Sequence, residues 1–145
     1  MRLGYELTDI KTKLDVIVIQ QSARPDEWLP TIGDSSDYTL TEQNERGVVL
    51  YGSNKSIENM QLDGYFIYKH DDRERFVIQG NPSTPGDNGD IYTIGGKVTG
   101  TPTEHWFYSA EGAYQFGQKE DRIFGVDDTR DISAYGGKAK LTYLL

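Results

Sequence analysis

The sequence predicts an all-β fold, an antiparallel up-and-down meander of about seven strands. Several separate segments alternate between apolar and polar residues, which is the pattern of a strand with two different faces. No segment carries a convincing helical period. The composition agrees, because 16 glycines and 10 tyrosines in 145 residues suit a chain with many strands and turns.

The first three predicted strands differ in how well their facing is defined. In the strand over about 1–9, Leu3, Tyr5 and Leu7 alternate with Arg2, Gly4, Glu6 and Thr8. The strand over about 12–21, TKLDVIVIQQ, is apolar on both faces at its centre, so its orientation stays open. The strand over about 46–54, RGVVLYGSN, leaves its facing unsettled as well.

The last four predicted strands alternate clearly. In the strand over about 60–70, Leu62, Gly64, Phe66 and Tyr68 oppose Asp63, Tyr65, Ile67 and Lys69. In the strand over about 90–100, Tyr92, Ile94 and Val98 oppose Thr93, Gly95, Lys97 and Thr99. In the strand over about 105–117, Trp106, Tyr108, Tyr114 and Phe116 oppose Ser109, Glu111 and Gln115. In the strand over about 131–145, Tyr135, Ala139, Leu141 and Tyr143 oppose Lys138, Lys140 and Thr142.

Short and long connections are predicted to alternate along the chain. The short links lie near Asp9–Lys11, Lys55–Asn59 and Thr101–His105, and the long loops cover about 22–45, 71–89 and 117–130. A transmembrane β-barrel has this alternation because its periplasmic turns are short and its extracellular loops are long. The predicted strand lengths and the aromatic residues near several strand ends also favour a membrane barrel. A soluble meander, sandwich or barrel remains the alternative.

Charge and hydropathy exclude several other classes of protein. The formal net charge of -8 argues against nucleic acid as a partner, since nucleic-acid binding needs a basic surface. No run of about 18 apolar residues is present to form a transmembrane helix. The absence of cysteine excludes disulfides and thiolate metal sites. The first ten residues, MRLGYELTDI, lack the features of a signal peptide, so we expect a cytoplasmic protein or a mature or partial sequence.

Four stretches resemble the alginate-export family of bacterial outer-membrane barrels. They are LDGYFIYKHDDRER (62–75), GDIYTIGGKVTGTP (89–102), EHWFYSAEGAYQFG (104–117) and DISAYGGKAKLTYLL (131–145). The resemblance covers most of the chain from about residue 46, and it implies a large antiparallel barrel in the outer membrane. It also implies a lumen lined by Arg and Lys through which anionic polysaccharide such as alginate, or other anionic solutes, passes.

Residues 1–145 are too short for a complete barrel of this kind, and the number of predicted strands is odd. Complete bacterial barrels normally have an even number of strands. We therefore expect the chain to be one partial barrel domain with further strands upstream and downstream. Its expected surroundings are outer-membrane lipid and lipopolysaccharide.

The alternation assigns candidate residues to the two faces. On the lumen side the sequence predicts a slightly basic wall, in which acidic Glu6, Asp15 and Asp63 also lie. The residues proposed for the solute path are Arg2, Lys13, Lys69, Lys97, Lys138 and Lys140 with Glu111. Rings of basic side chains are the usual device of anion-selective pores. The aromatic residues predicted to face lipid are Trp106, Tyr108, Tyr114, Phe116, Tyr135 and Tyr143.

We expect neither catalysis nor a cofactor. His70 with Asp71 and Asp72 matches no zinc-ligand spacing, so a charged loop is the simpler interpretation. GDNGD (86–90) lacks the ligand pattern of an EF-hand and is better explained as a turn. Asp63 and Glu111 could form a glycosidase pair in number only. The alternatives that stay open are a soluble all-β carbohydrate-binding module and, third, a polysaccharide-degrading β-barrel enzyme.

Overall fold

The computed structural model describes residues 1–21, 44–72, 77–78, 81–82, 88–123 and 126–144. Within these residues the chain forms nine strands and one short 3₁₀ turn, Thr8–Ile10. The strands are β1 (Arg2–Leu7), β2 (Thr12–Gln21), β3 (Asn44–Asn54), β4 (Met60–Asp72), β5 (Val77–Ile78), β6 (Asn81–Pro82), β7 (Asn88–Thr103), β8 (Trp106–Ile123) and β9 (Val126–Tyr143). None of the described residues forms an α-helix.

Seven of the strands form one antiparallel sheet in the order β1-β2-β3-β4-β7-β8-β9. Within this sheet every strand pairs with the sheet strands that come before and after it in the sequence. The two-residue strands β5 and β6, which fall between β4 and β7, pair only with each other, outside this sheet. The predicted all-β, up-and-down meander of about seven strands is therefore confirmed. The sheet is open, with β1 and β9 at its two margins.

Each predicted short link connects the two strands of a hydrogen-bonded hairpin. Between β1 and β2 the 3₁₀ turn ends at Lys11, which takes a left-handed conformation with φ 46° and whose amide donates to the carbonyl of Thr8 over 3.2 Å. Between β3 and β4, Asn59 has φ 58° and occupies the corresponding position in the link. Asparagine tolerates this conformation better than most residues, and so it suits the turn.

The predicted long loop over 117–130 is wrong. Strand β8 continues to Ile123 and β9 starts at Val126, and the two are paired in register from the pair of Gly117 with Ile132 to the pair of Ile123 with Val126. Residues 118–120 and 129–131 are polar on both faces, so their composition resembles that of a loop although they extend a hairpin. Strand β3 also starts earlier than predicted, at Asn44, while β4 continues to Asp72 and β7 starts at Asn88. Most of the predicted loops 22–45 and 71–89 lies outside the described residues.

The register of the sheet divides its side chains into two faces. One, the apolar face, carries across the seven strands Leu3, Tyr5, Leu14, Val16, Val18, Val48, Leu50, Leu62, Phe66, Tyr68, Tyr92, Ile94, Val98, Tyr108, Ala110, Tyr114, Phe116, Tyr135, Ala139 and Leu141. The other, the polar face, carries most of the charged residues of the same strands, whereas Arg46, Asp90 and Asp131 lie near strand ends on the side of the apolar face. The register also settles the two strands whose facing was open, since Val16 pairs with both Leu3 and Leu50.

The apolar face is the more exposed of the two. Ile94 and Leu50 lie on inner strands, yet they are 54% and 45% exposed. On the polar face, by contrast, the carboxylate residues Asp15 and Asp71 are only 5% and 4% exposed. Along β8 each apolar-face residue from 112 to 118 is exposed, while the polar-face residues between them are partly buried. The described residues therefore form a single layer that buries no apolar core, and its burial is inverted relative to a soluble protein.

Gly117 should be the least replaceable glycine of the sheet. Its φ is 151°, a conformation that disfavours residues with a side chain, and an added Cβ would overlap the carbonyl of Asp90. We expect Gly117→Ala to lower the free energy of unfolding by about 1–3 kcal/mol, measured by denaturant titration followed by circular dichroism. Gly136→Ala is the matched control, because its added Cβ would meet no atom within 4 Å. Equal destabilisation by both substitutions would contradict this account.

Candidate functional site

The polar face contains every residue that the sequence assigned to the solute path. Arg2, Lys13, Lys69, Lys97, Glu111, Lys138 and Lys140 all lie on it. The structure brings Lys97, Glu111 and Lys138 next to one another on β7, β8 and β9. Lys140 lies one position further along the same face of β9, opposite Ser109. Arg2 and Lys69 lie elsewhere on the face, on β1 and near the far end of β4.

One transverse line of residues crosses all seven strands of the sheet. We call it the central charge row, and it consists of Glu6, Lys13, Ser53, Asp63, Lys97, Glu111 and Lys138. Each residue pairs in register with the next, at the interstrand spacing of about 4.8 Å. Three carboxylates face three ammonium groups, so the formal charges of this row sum to zero. No alternation within a single strand reveals this row, because it depends on the register between strands.

Two carboxylates of the central charge row, Glu111 and Asp63, have polar contacts with neighbouring side chains. The Nζ of Lys138 lies 3.1 Å from the Oε2 of Glu111, and the hydroxyl of Tyr65 donates to the other oxygen of Glu111 over 3.5 Å. The side-chain amide of Gln61 donates to Asp63 over 2.8 Å. The carboxylates are therefore oriented along the wall.

Two further ion clusters lie on the polar face. At the β1 margin the guanidinium of Arg2 contacts both oxygens of Asp15, at 3.1 and 2.9 Å, and the Nζ of Lys13 lies 3.9 Å from the same carboxylate. At the other end of the strands, Lys69 contacts Glu45 at 2.8 Å and Asp71 at 3.2 Å. Most of the predicted basic residues are thus partnered by carboxylates, which leaves the wall less basic than their number alone suggests.

Among the side chains that the structure describes, the sequence-based assignment missed four charged residues of this face. Glu45 and Asp71 add negative charge, whereas Lys119 and Arg130 add positive charge and pair with each other in register. All four lay in segments predicted as loops, 22–45, 71–89 and 117–130. Arg130 lay at the end of the last of these loops. Strand extension was the missing information, since the side chains of a strand alternate only as far as the strand continues.

A shallow recess lies beside the central charge row. Its volume is about 280 Å³, and Tyr65, Glu111, Ala113, Gly136 and Lys138 are among the residues that line it. The ring of Tyr65 covers Gly95, so closely that a Cβ there would overlap it. An aromatic ring, a carboxylate and an ammonium group therefore meet at one small depression of the polar face.

The predicted lipid-facing aromatic residues share the apolar face. Trp106, Tyr108, Tyr114, Phe116, Tyr135 and Tyr143 all lie on it. Four of them, Tyr114, Phe116, Trp106 and Tyr143, belong to two clusters of neighbouring rings. Near one end of the strands Tyr68, Tyr92, Phe116 and Tyr114 stack in sequence with centroid distances of 5.1, 5.4 and 5.7 Å. Near the other end Trp106 contacts Tyr143 at 4.9 Å.

Metal-binding geometry is absent from the described part of the chain. His70 and Asp71 are consecutive strand residues and point to opposite faces. The Nδ1 of His70 lies 2.8 Å from Asp90, whose carboxylate also accepts a hydrogen bond from Tyr68 over 2.7 Å. No group of three His, Cys, Asp or Glu side chains among the described residues could hold a metal ion.

Comparison with known proteins assigns no relative to this chain. No protein-family model, curated protein or solved structure matches it. Among the described residues, no helix has the length and apolar character needed to cross a membrane.

Arg2 should hold β1 to the sheet. Replacing Arg2 by Met removes both of its hydrogen bonds to Asp15 and leaves a nearly buried carboxylate short of partners, which is unfavourable. We expect faster hydrogen exchange at the β1 amides in Arg2→Met than in the unmodified protein, measured by mass spectrometry or NMR. Lys13→Met is the control, because Lys13 contacts Asp15 only at 3.9 Å. If Lys13→Met loosened β1 as much as Arg2→Met, the bidentate contact would not be the restraint.

Proposed function

We propose that this chain forms part of a bacterial outer-membrane β-barrel through which anionic solutes or an anionic polysaccharide pass passively. The polar face would line a water-filled lumen, and the apolar face would contact lipid. The single observation that carries the proposal is the inverted burial of the sheet, whose apolar face runs without interruption across seven strands and remains exposed. Such a face is unfavourable in water, by roughly 25 cal/mol for each Å² of apolar surface, and lipid would cover it.

The dimensions of the apolar face support this proposal. On β8 the two aromatic clusters are marked by Trp106 and Phe116, about ten residues apart. At about 3.3 Å per residue they are ~33 Å apart along the strand. A strand tilted by about 40° converts this length to ~25 Å along the membrane normal, which matches the apolar band of outer-membrane barrels. Aromatic residues at both boundaries are the expected girdles.

The polar face supports the anionic class of solute. Its basic side chains include Lys138 and Lys140, which point the same way on β9, and Lys140 lies opposite the uncharged Ser109. A positive wall of low dielectric concentrates anions near the passage. The resemblance to alginate-export barrels motivates the choice of an anionic polysaccharide such as alginate.

The two alternative functions have weaker structural support. A carbohydrate-binding module would use the stacked rings of Tyr68, Tyr92 and Phe116 as a sugar platform, but these rings belong to the continuous apolar face. A glycosidase would use Asp63 and Glu111, but these residues lie two strands apart with Lys97 between them. The membrane barrel uses both faces of the sheet, and so we favour it.

Charge on the apolar face should impair membrane insertion. Ala110 lies in the middle of that face on β8, between Val98 and Ala139. We expect Ala110→Arg to destabilise the lipid-inserted protein by roughly 2–4 kcal/mol, since Arg near the bilayer midplane carries this cost. Folding of the intact protein into lipid vesicles measures the effect. Gln115→Arg on the polar face of the same strand is the control, and equal tolerance of both substitutions would count against the assigned faces.

Lys97, Lys138 and Lys140 should favour anions in the conducting path. Replacing all three by Glu should move the reversal potential of the intact protein toward cation selectivity, measured in planar bilayers under a salt gradient. The shift should shrink at high salt, because the Debye length falls from ~10 Å at 0.1 M to ~3 Å at 1 M. An unchanged reversal potential at low salt would show that these lysines do not line the path.

A further inference from the structure

Glu111 has a singular position on the described polar face. Its register partners on both neighbouring strands are lysines, Lys97 on β7 and Lys138 on β9. No other carboxylate among the described polar-face residues has this arrangement. Asp63, for example, pairs with Lys97 on one side and with the uncharged Ser53 on the other.

The geometry pairs the Glu111 carboxylate directly with Lys138 and places it in register beside Lys97. Its Oε2 is 3.1 Å from the Nζ of Lys138, and its Oε1 accepts the hydrogen bond from Tyr65. The Glu111 side chain is 26% exposed, compared with 77% for Lys138, so the carboxylate lies deeper in the wall than the ammonium it faces. A row of alternating charges has a field that largely cancels within about one strand spacing, and so it attracts ions weakly at a distance.

The neighbouring transverse line differs from the central charge row. Gln61, Thr99, Ser109 and Lys140 are paired in register there, and no carboxylate is among them. The anion preference of the wall therefore depends on how far the lysines of the central charge row are neutralised. Removing the charge of Glu111 would convert a neutral row into one with a net charge of about +1.

We propose that Glu111 is the specificity-determining residue of the polar face. Its carboxylate limits the anion preference of the passage by neutralising Lys97 and Lys138, so that a modest rather than a strong preference results. This inference rests on the proposed function, since it assumes that the polar face lines a conducting path. In this proposal the anion preference depends on both Glu111 and the lysines, and not on the lysines alone.

The test compares three isosteric substitutions in the intact protein, reconstituted in planar bilayers under a KCl gradient at low ionic strength. Glu111→Gln keeps the length of the side chain and an acceptor for Tyr65, and removes only the charge. We expect it to raise the chloride-to-potassium permeability ratio roughly two-fold to five-fold. Asp63→Asn should raise the ratio less, because Asp63 has a single lysine neighbour. Glu58→Gln is the control, since Glu58 lies in the exposed link between β3 and β4.

The possible outcomes separate the inference from the proposed function. If the unmodified protein conducts and Glu111→Gln changes the ratio no more than Glu58→Gln, the inference is overturned while the proposed function stands. If Asp63→Asn has an effect as large as that of Glu111→Gln, the assignment to Glu111 is overturned as well. If the unmodified protein gives no conductance, both the proposed function and the inference fail. Circular dichroism of each variant verifies that it has folded.

Discussion

The constraint on which this structure depends is the register of its strands. Every neighbouring pair in the seven-stranded sheet is antiparallel, and the register is regular apart from one shift between Gly100 and Thr103 in the β7–β8 pair. Apolar residues therefore meet apolar residues across the sheet. A slip of one residue at any pair would move the side chains of that strand to the opposite face. No second layer of structure among the described residues compensates for such a slip. The two faces therefore exist only because all of the pairings agree.

Much of this arrangement could be predicted from the sequence where a strand has two chemically different faces. The clean alternation of β8, from Trp106 to Phe116, fixed both its strand character and its facing. Facing stayed open for β2, because Ile17 and Val18 are both apolar although they lie on opposite faces. The extension of the β8–β9 hairpin was missed for a related reason. Pairs such as Lys119 with Arg130 are polar on both strands, and polar composition alone does not distinguish an exposed hairpin from a loop.

The sequence predicted which residues lie on the polar face better than it predicted how their charges are arranged there. Alternation within each strand placed Lys97, Glu111 and Lys138 on one face, but it could not place them side by side. That requires the offsets between strands, which depend on turn geometry and on pairings distant in sequence. The number of basic residues alone would therefore overstate how basic this wall is. The contacts of Arg2 with Asp15 and of Lys69 with Glu45 and Asp71 show how fully carboxylates can offset basic side chains on such a surface.

The inverted burial of the sheet also bears on how the chain reaches its folded state. The polypeptide has a mean hydropathy of -0.63, and because apolar and polar residues alternate it has no long apolar segment while it is unfolded. The apolar face forms only when the strands pair and bring every second residue to the same side of the sheet. The unfolded chain can thus travel through water as an ordinary hydrophilic polymer. The sheet must then be covered as it forms, since an exposed apolar surface of this size would cause the protein to aggregate.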